Sequence, residues 1–405
     1  MNYHATILSA ADRCVMCGLC LPHCPTYQLH HSELESPRGR IALLQAVAAG
    51  KLSADESLLA HLDSCLVCRA CEKMCPSKVP YGDLIDAGRA LLREQGQPAR
   101  PMVKQLLHQI SDKKRLQRNG SLLRSYQRSG VQRLLRASGL LKLTSIAGAE
   151  KALPPIPPRQ TLAPLYPATG ALRGRVGLFT GCISSLLEGE VQQAAIALLT
   201  TLGYEVHVPQ NQRCCGSLHQ HNGEPQRAAE LADDNIPLFD EMGLDAVVST
   251  ASGCAAQLSE YPRLYGKGHT PFYEVCDFLS TLEWPDTIQL KPLQQTVWLH
   301  LPCSQRNVIG NSGAVAQLLS RIPQLQLEAL PENHLCCGSA GSYQLTRPDN
   351  ASALRERKLN LIDSTAELIV SNNLGCALHL QSGLEQRGSA VEVIHPLLLL
   401  VRALP

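Results

Sequence analysis

The sequence predicts a multidomain chain of α+β and α/β class: a mainly α-helical domain followed by a duplicated α/β domain with parallel sheets. Three observations carry this. Two cysteine runs of identical spacing lie near the amino end, the first opening at Cys14 and the second at Cys65. A proline-rich stretch, residues 153–170, then breaks the chain. Beyond it a four-cysteine pattern occurs twice.

The first run is Cys14, Cys17, Cys20 and Cys24 before Pro25, and the second is Cys65, Cys68, Cys71 and Cys75 before Pro76. Both read C-x2-C-x2-C-x3-C-P, the run with which bacterial ferredoxins hold [4Fe–4S] clusters, its fourth cysteine serving the other cluster. The spacing predicts a two-cluster ferredoxin-type domain over residues 1–95. Cys14, Cys17, Cys20 and Cys75 are expected on one cluster, and Cys65, Cys68, Cys71 and Cys24 on the other. Structural zinc draws C-x2-C pairs from two separate places, which weighs against a zinc reading. Helices are expected over 1–13, over 41–49 with Pro37 near its start, over 57–63 and over 81–93.

Composition narrows the class. The chain has 405 residues, of which 44% are hydrophobic and only 4% aromatic, so its cores should rest on Leu, Ala, Val and Ile. A net charge of +2 marks no general polyanion binder. Seventeen cysteines without a signal-like amino terminus point to the reducing cytoplasm and to metal binding rather than disulfides. No apolar run is long enough to span a membrane.

Residues 96–172 form a basic helical segment and a linker. Twelve basic residues between Arg93 and Lys142 face only Glu94 and Asp112. Leu106, Leu107, Ile110, Leu116, Leu134 and Leu135 recur at helical spacing. The basic faces are either solvated sides of packed helices or a docking surface for an acidic partner or the anionic inner face of a membrane. Few aromatics interleave them, which argues against nucleic acid. Pro154, Pro155, Pro157, Pro158, Pro164 and Pro167 predict an extended, stiff linker.

The second half repeats. Cys182 precedes Cys214, Cys215 and Gly216, then Cys254; Cys303 precedes Cys336, Cys337 and Gly338, then Cys376. The first gaps are 32 and 33 positions and the second are both 40. Two Cys–Cys–Gly cysteine-rich domains follow, over 173–290 and 291–405. In each, short apolar strands (176–179, 204–208, 246–250; 297–301, 325–329, 368–372) alternate with helices (191–202, 225–242; 315–322, 351–362), as in parallel α/β units. The cysteines then gather beyond the carboxyl ends of the strands, where such sheets build sites. Four thiolates there can hold an iron–sulfur cluster, a zinc ion or nothing permanent. Adjacent cysteines suit a multi-iron cluster better than one zinc, so one or two further clusters are expected. Cys276 fits neither set and reads as a buried packing residue.

Two ferredoxin runs before two Cys–Cys–Gly domains resemble the iron–sulfur subunits of bacterial glycolate oxidase. So do residues 24–27 (CPTY), 37–40 (PRGR), 250–254 (TASGC) and 335–341 (LCCGSAG). The resemblance runs from about Arg13 to the carboxyl end and is weakest across 97–170. It implies that a separate FAD-containing 2-hydroxy-acid dehydrogenase subunit oxidises glycolate, and that this chain passes the electrons singly to a quinone or another acceptor. The alternative within the wider group is a glycerol-3-phosphate or D-lactate dehydrogenase iron–sulfur subunit, or a heterodisulfide-reductase-like one. In the last, a C-x-x-C supplies a fifth thiol; here Gln257 and His379 stand in that place, against disulfide chemistry. No Gly-x-Gly-x-x-Gly opens a helix, so no flavin is expected on this chain, and no catalytic residue is expected. His219 and His221 read as solvated loop residues.

Overall fold

The computed structural model describes residues 2–139, 150, 153–362 and 366–405. Lys142, one of the basic residues above, lies outside them.

The amino-terminal module is helical: α1 (Tyr3–Ala11), α2 (Pro25–His30), α3 (Pro37–Ala48), α4 (Glu56–Asp63), α5 (Ala70–Lys73) and α6 (Tyr81–Glu94). Local signals set the starts. The Ser36 hydroxyl accepts the Gly39 N–H and Pro37 occupies the first turn of α3, so this helix begins earlier than the apolar run alone suggests. Asp55 accepts the Leu58 N–H at the start of α4. Helices α1, α3, α4 and α6 pack together over Ile7, Leu44, Leu62, Leu84, Ile85 and Leu92, all fully buried. Gly88 lets α6 approach α3, since a Cβ there would sit 2.5 Å from Leu44.

Helices α7 (Pro101–Ile110), α8 (Lys113–Arg128) and α9 (Val131–Ser138) carry the basic segment. Val103, Leu107, Ile110 and Leu116 share one apolar cluster with Phe179, Leu231, Phe239 and Tyr261 of the first α/β unit. Leu122 and Leu134 stay exposed. The proline-rich stretch ends in β1 (Leu165–Tyr166), which pairs antiparallel with β3 (Tyr204–His207).

The two α/β units are parallel sheets. The first has the order β1-β3-β2-β4-β5, with β2 Gly174–Phe179, β4 Ala246–Ser249 and β5 Phe272–Glu274. The second has the order β7-β6-β8-β9, with β6 Gln295–Leu299, β7 Leu325–Ala329, β8 Leu368–Val370 and β9 Glu392–Ile394. All pairings except β1–β3 are parallel. The expected three strands per unit are present, and β1, β5 and β9 extend them.

The units are joined through one core. Helix Gly189–Thr201 packs on the carboxyl-terminal helix Pro396–Ala403, and Val275–Thr281 packs on Ala314–Leu319. Their side chains form a single apolar cluster spanning both halves, from Val176 and Leu199 to Val315 and Leu400. The Ser252 N–H donates to Asn372 O at 3.0 Å, and the His395 ring contacts Thr250 O at 2.9 Å.

Candidate iron–sulfur sites

The two ferredoxin-type loops have the same backbone shape. Met16 and Gly18 are left-handed (φ 56° and 83°), and so are Val67 and Arg69 (φ 49° and 55°), each pair two and four residues past the first cysteine of its run. A left-handed β-branched residue is strained by about 1–3 kcal/mol. The alternation curls each loop around a centre, which fits a cluster held by three thiols of one loop.

Cys14, Cys17, Cys20 and Cys75 line one cavity, with Cys71 also at its wall. Burial pushes the Cys20 thiol up to about 11. Arg38 braces this loop from outside: its guanidinium donates to Met16 O at 3.1 Å and pairs with Glu33 at 2.6 Å. Cys65, Cys68, Cys71 and Cys24 form a second group. Burial holds the Cys71 thiol well above its ordinary value, and the nearby Cys68, Cys65 and Cys24 add to this. The Val67 N–H donates to the Cys65 sulfur at 3.4 Å, and the Tyr81 hydroxyl lies 3.6 Å from it. Arg40, only 1% exposed, stands beside this group, donating to Thr26 Oγ1, Glu35 and His61 O at 2.5–3.2 Å. Its neighbours include the Cys65 and Cys24 thiols. A fixed buried cation there offsets the negative charge of thiolates, a role that sequence reasoning missed for this arginine.

In the first α/β unit the sulfurs run in a chain of contacts, Cys182 to Cys214 (3.5 Å), Cys214 to Cys215 and Cys215 to Cys254. Asn235 donates to Cys214 O at 3.0 Å and accepts the Arg213 N–H at 2.8 Å; the Tyr261 hydroxyl donates to Cys215 O at 3.0 Å. The second unit repeats the chain through Cys303, Cys336, Cys337 and Cys376. In both, the glycine after the paired cysteines is left-handed and crowded: a Cβ on Gly216 would meet Ala228 O at 3.1 Å, and one on Gly338 would meet Ala351 O at 2.5 Å.

The two sites are not equivalent. A nitrogen of His300 and the sulfurs of Cys337 and Cys376 lie within 4.8 Å of one another, all buried. Burial, helped by Lys358 and Arg306, holds the ring well below its ordinary pKa. Lys358, 1% exposed, donates to Glu332 O at 2.7 Å and faces Cys337, Cys336 and Cys376. At the corresponding positions the first unit has Phe179 and Ile236, both apolar. At these two positions the second site carries a buried imidazole and a buried amine where the first is apolar. His300 was missed; its one sequence signal is a histidine three residues before Cys303 where the other repeat has phenylalanine.

The second site also meets the ferredoxin module. Cys68 has Cys303 and Cys336 among its charged neighbours. Leu66, Cys336 and Tyr343 share a small apolar cluster with Cys68 and Cys303 packed against it. The π-helical turn Gln305–Ile309 grips this loop: Asn307 donates to Cys68 O and Lys73 donates to Arg306 O, each at 2.6 Å. The first site is tied to α6 instead, through Arg263–Asp83 (2.9 Å) and Arg89 to His221 O (2.7 Å).

His219 corrects the sequence expectation. It is 2% exposed and held by Ser111 Oγ at 3.0 Å and Glu224 at 2.7 Å, because α7 covers the helix Ser217–Gln220. His221 is half-buried against Asp86 at 3.1 Å. Cys276 is fully buried beside Glu274 and His395. His395 uses both ring nitrogens, on Thr250 O and the Leu397 N–H, so it offers no free ligand atom.

Loops curled around grouped thiols, followed by paired cysteine-rich α/β units, define a multi-cluster iron–sulfur protein. Comparison with known families agrees. Residues 10–79 match the 4Fe-4S dicluster domain, residues 176–259 and 297–381 the cysteine-rich domain, and residues 100–153 the linker region of the glycolate oxidase iron–sulfur subunit. The chain is 35% identical to the probable glycolate oxidase iron–sulfur subunit of Bacillus subtilis, over 96% of this chain and 93% of that one. It is 33% identical to the glycolate oxidase iron–sulfur subunit of Escherichia coli, over 91% and 89%. It is also 30% identical to one of the subunits of the CoM/CoB fumarate reductase of Methanothermobacter marburgensis, over 53% and 43%. The chain belongs to the family of glycolate oxidase iron–sulfur subunits.

Proposed function

We propose that this chain is the electron-transfer subunit of a glycolate-oxidising complex, receiving electrons from an FAD-containing subunit and delivering them to a quinone or another acceptor. In this reading Cys14, Cys17, Cys20 and Cys75 hold one [4Fe–4S] cluster, and Cys65, Cys68, Cys71 and Cys24 hold the other. Cys303, Cys336, Cys337 and Cys376 hold a third. An iron–sulfur cluster accepts and releases one electron at a time, so a series of them splits the pair that a flavin delivers. The protein's part is to hold thiolates in apolar surroundings, balance their charge and keep the sites close.

The observation that carries this reading is the contact of the Cys68 loop with Cys303 and Cys336, which makes the ferredoxin module and the second α/β unit neighbours in one path. Arg40 at one group and Lys358 at the other place a buried basic side chain beside each. Val15, Met16, Leu19 and Met74 stand exposed around the first loop, and such an apolar rim suits docking of the flavoprotein. Among the described residues no helix is long and apolar enough to cross a membrane, so any membrane association would use the basic faces of α8 and α9.

Iron and acid-labile sulfide per chain test the reading, on protein purified without oxygen. About twelve of each are expected; about eight would leave the second α/β unit without a cluster, since each [4Fe–4S] centre has four irons. The isolated chain should not turn over glycolate, and turnover by the pure chain would overturn its assignment as a carrier.

A further inference from the structure

A cleft of ≈ 570 Å³ opens between α8, residues 159–162 and the carboxyl ends of β2 and β3. Lys113, Lys114, Arg124, Arg159 and Arg213 line it, against the single carboxylate of Asp112. Two of these cations are engaged: Arg124 donates to Pro157 O at 2.7 Å, and Arg213 pairs with Asp234 at 3.4 Å. Asp112 is spent on the Lys114 and Arg115 N–H groups at the start of α8. Lys113, half-buried, reaches only the Thr180 hydroxyl, at 3.3 Å. Burial and the facing Arg159 charge both lower its pKa. Like charges turned toward one another in a partly desolvated cleft are costly unless an anion joins them.

We propose that this cleft binds a small, multivalent anion, carrying carboxylate or phosphate groups on a non-aromatic frame. The volume suits a small molecule rather than a chain segment. Its place beyond the carboxyl ends of parallel strands is where open α/β sheets take ligands. Among the described residues no aromatic ring lines it, so none there stacks a nucleobase, a flavin or a quinone ring. The cleft adjoins the first α/β unit's thiol group: Thr180 and Ser185 flank Cys182, Arg213 precedes Cys214, and Cys182 is an electrostatic neighbour of Lys113.

Calorimetric titration of the full-length protein with citrate, and separately with inorganic pyrophosphate, tests this at low salt, where exposed cations are least screened. Saturable binding of one anion at one site per chain is expected, and which probe binds tells carboxylate from phosphate recognition. Arg159→Gln and Lys113→Gln should each weaken that binding about tenfold or more, as for loss of a charge-assisted hydrogen bond. Lys51→Gln, on the ferredoxin module, should leave it unchanged. Arg159 is exposed, so its replacement leaves the core intact and decides the matter even if Lys113→Gln misfolds. The proposal is overturned if neither probe binds, if the Arg159 variant binds as well as the parent, or if anionic lipid vesicles bind where both probes fail.

Discussion

Glu274 is fully buried where the two α/β units meet, and burial pushes its carboxyl up to about 8. Its Oε2 accepts the Asp277 N–H at 3.0 Å, while its Oε1 and the Asn372 Oδ1 are both buried without partners. A proton on Glu274 removes the buried negative charge and lets an unpartnered acceptor become a donor. A carboxyl raised in the folded state stabilises the fold fully below its unfolded value. That stability is lost as the pH climbs from about 4.5 toward 8, by a few kcal/mol at about 1.4 kcal/mol per pK unit. In Glu274→Gln the amide oxygen still accepts from Asp277, with no titrating proton. Melting temperatures from pH 6.5, above the range in which His379 and His395 act, to pH 8 should fall more for the parent than for the variant; parallel curves would rule this out. Cys276 and His395 face the same carboxyl. His395 and His379 act on the other limb, since burial holds both at about 4. Each is neutral when folded, so its share of stability is present above about 6.5 and is lost as the pH falls toward 4.

At the scale of elements, the Cys–Cys–Gly loop needs its glycine for two separable reasons, backbone conformation and space. Gly388, at φ 66° with nothing near it, needs only the conformation. Gly388→Ala should cost about 1 kcal/mol. Gly216→Ala adds a tight contact at 3.1 Å and should cost somewhat more, about 2 kcal/mol. Gly338→Ala drives a methyl to 2.5 Å from a backbone oxygen, which no side chain can yield. It should cost more than about 3 kcal/mol and displace Cys336 and Cys337. Denaturant midpoints rank the three, and equal losses would sink the spatial argument. These loops were legible in the sequence because cysteine spacing is local and glycine has few alternatives there. β5 and β9 were not: each is three residues long and carries a glutamate, whereas β8, equally short, is apolar throughout. Nor was the place of His219, whose partner Ser111 lies 108 positions away. His300 was hidden for a similar reason, since its company with Cys337 and Cys376 arises only when β6 and β8 pair.

At the scale of the whole molecule, the linker prolines mark a change of composition more than an end of packing. Helices α7 and α8 precede them, yet Val103, Leu107, Ile110 and Leu116 are buried against the first α/β unit. Burying each such side chain is worth about 1.5–3 kcal/mol, so four amount to about 6–12 kcal/mol. That rivals the whole stability of an ordinary domain, about 5–15 kcal/mol. A fragment of residues 173–405 should therefore be poorly folded, while residues 98–405 should melt cooperatively. Both lose the contacts of Leu66 and Arg89 with the α/β units, so the comparison isolates residues 98–172, the basic helices together with the linker and β1. Sedimentation and thermal unfolding of the two fragments decide it. If residues 173–405 fold and stay monomeric as well as the longer piece, the basic helices are an appendage, and their apolar faces contribute little to the α/β core.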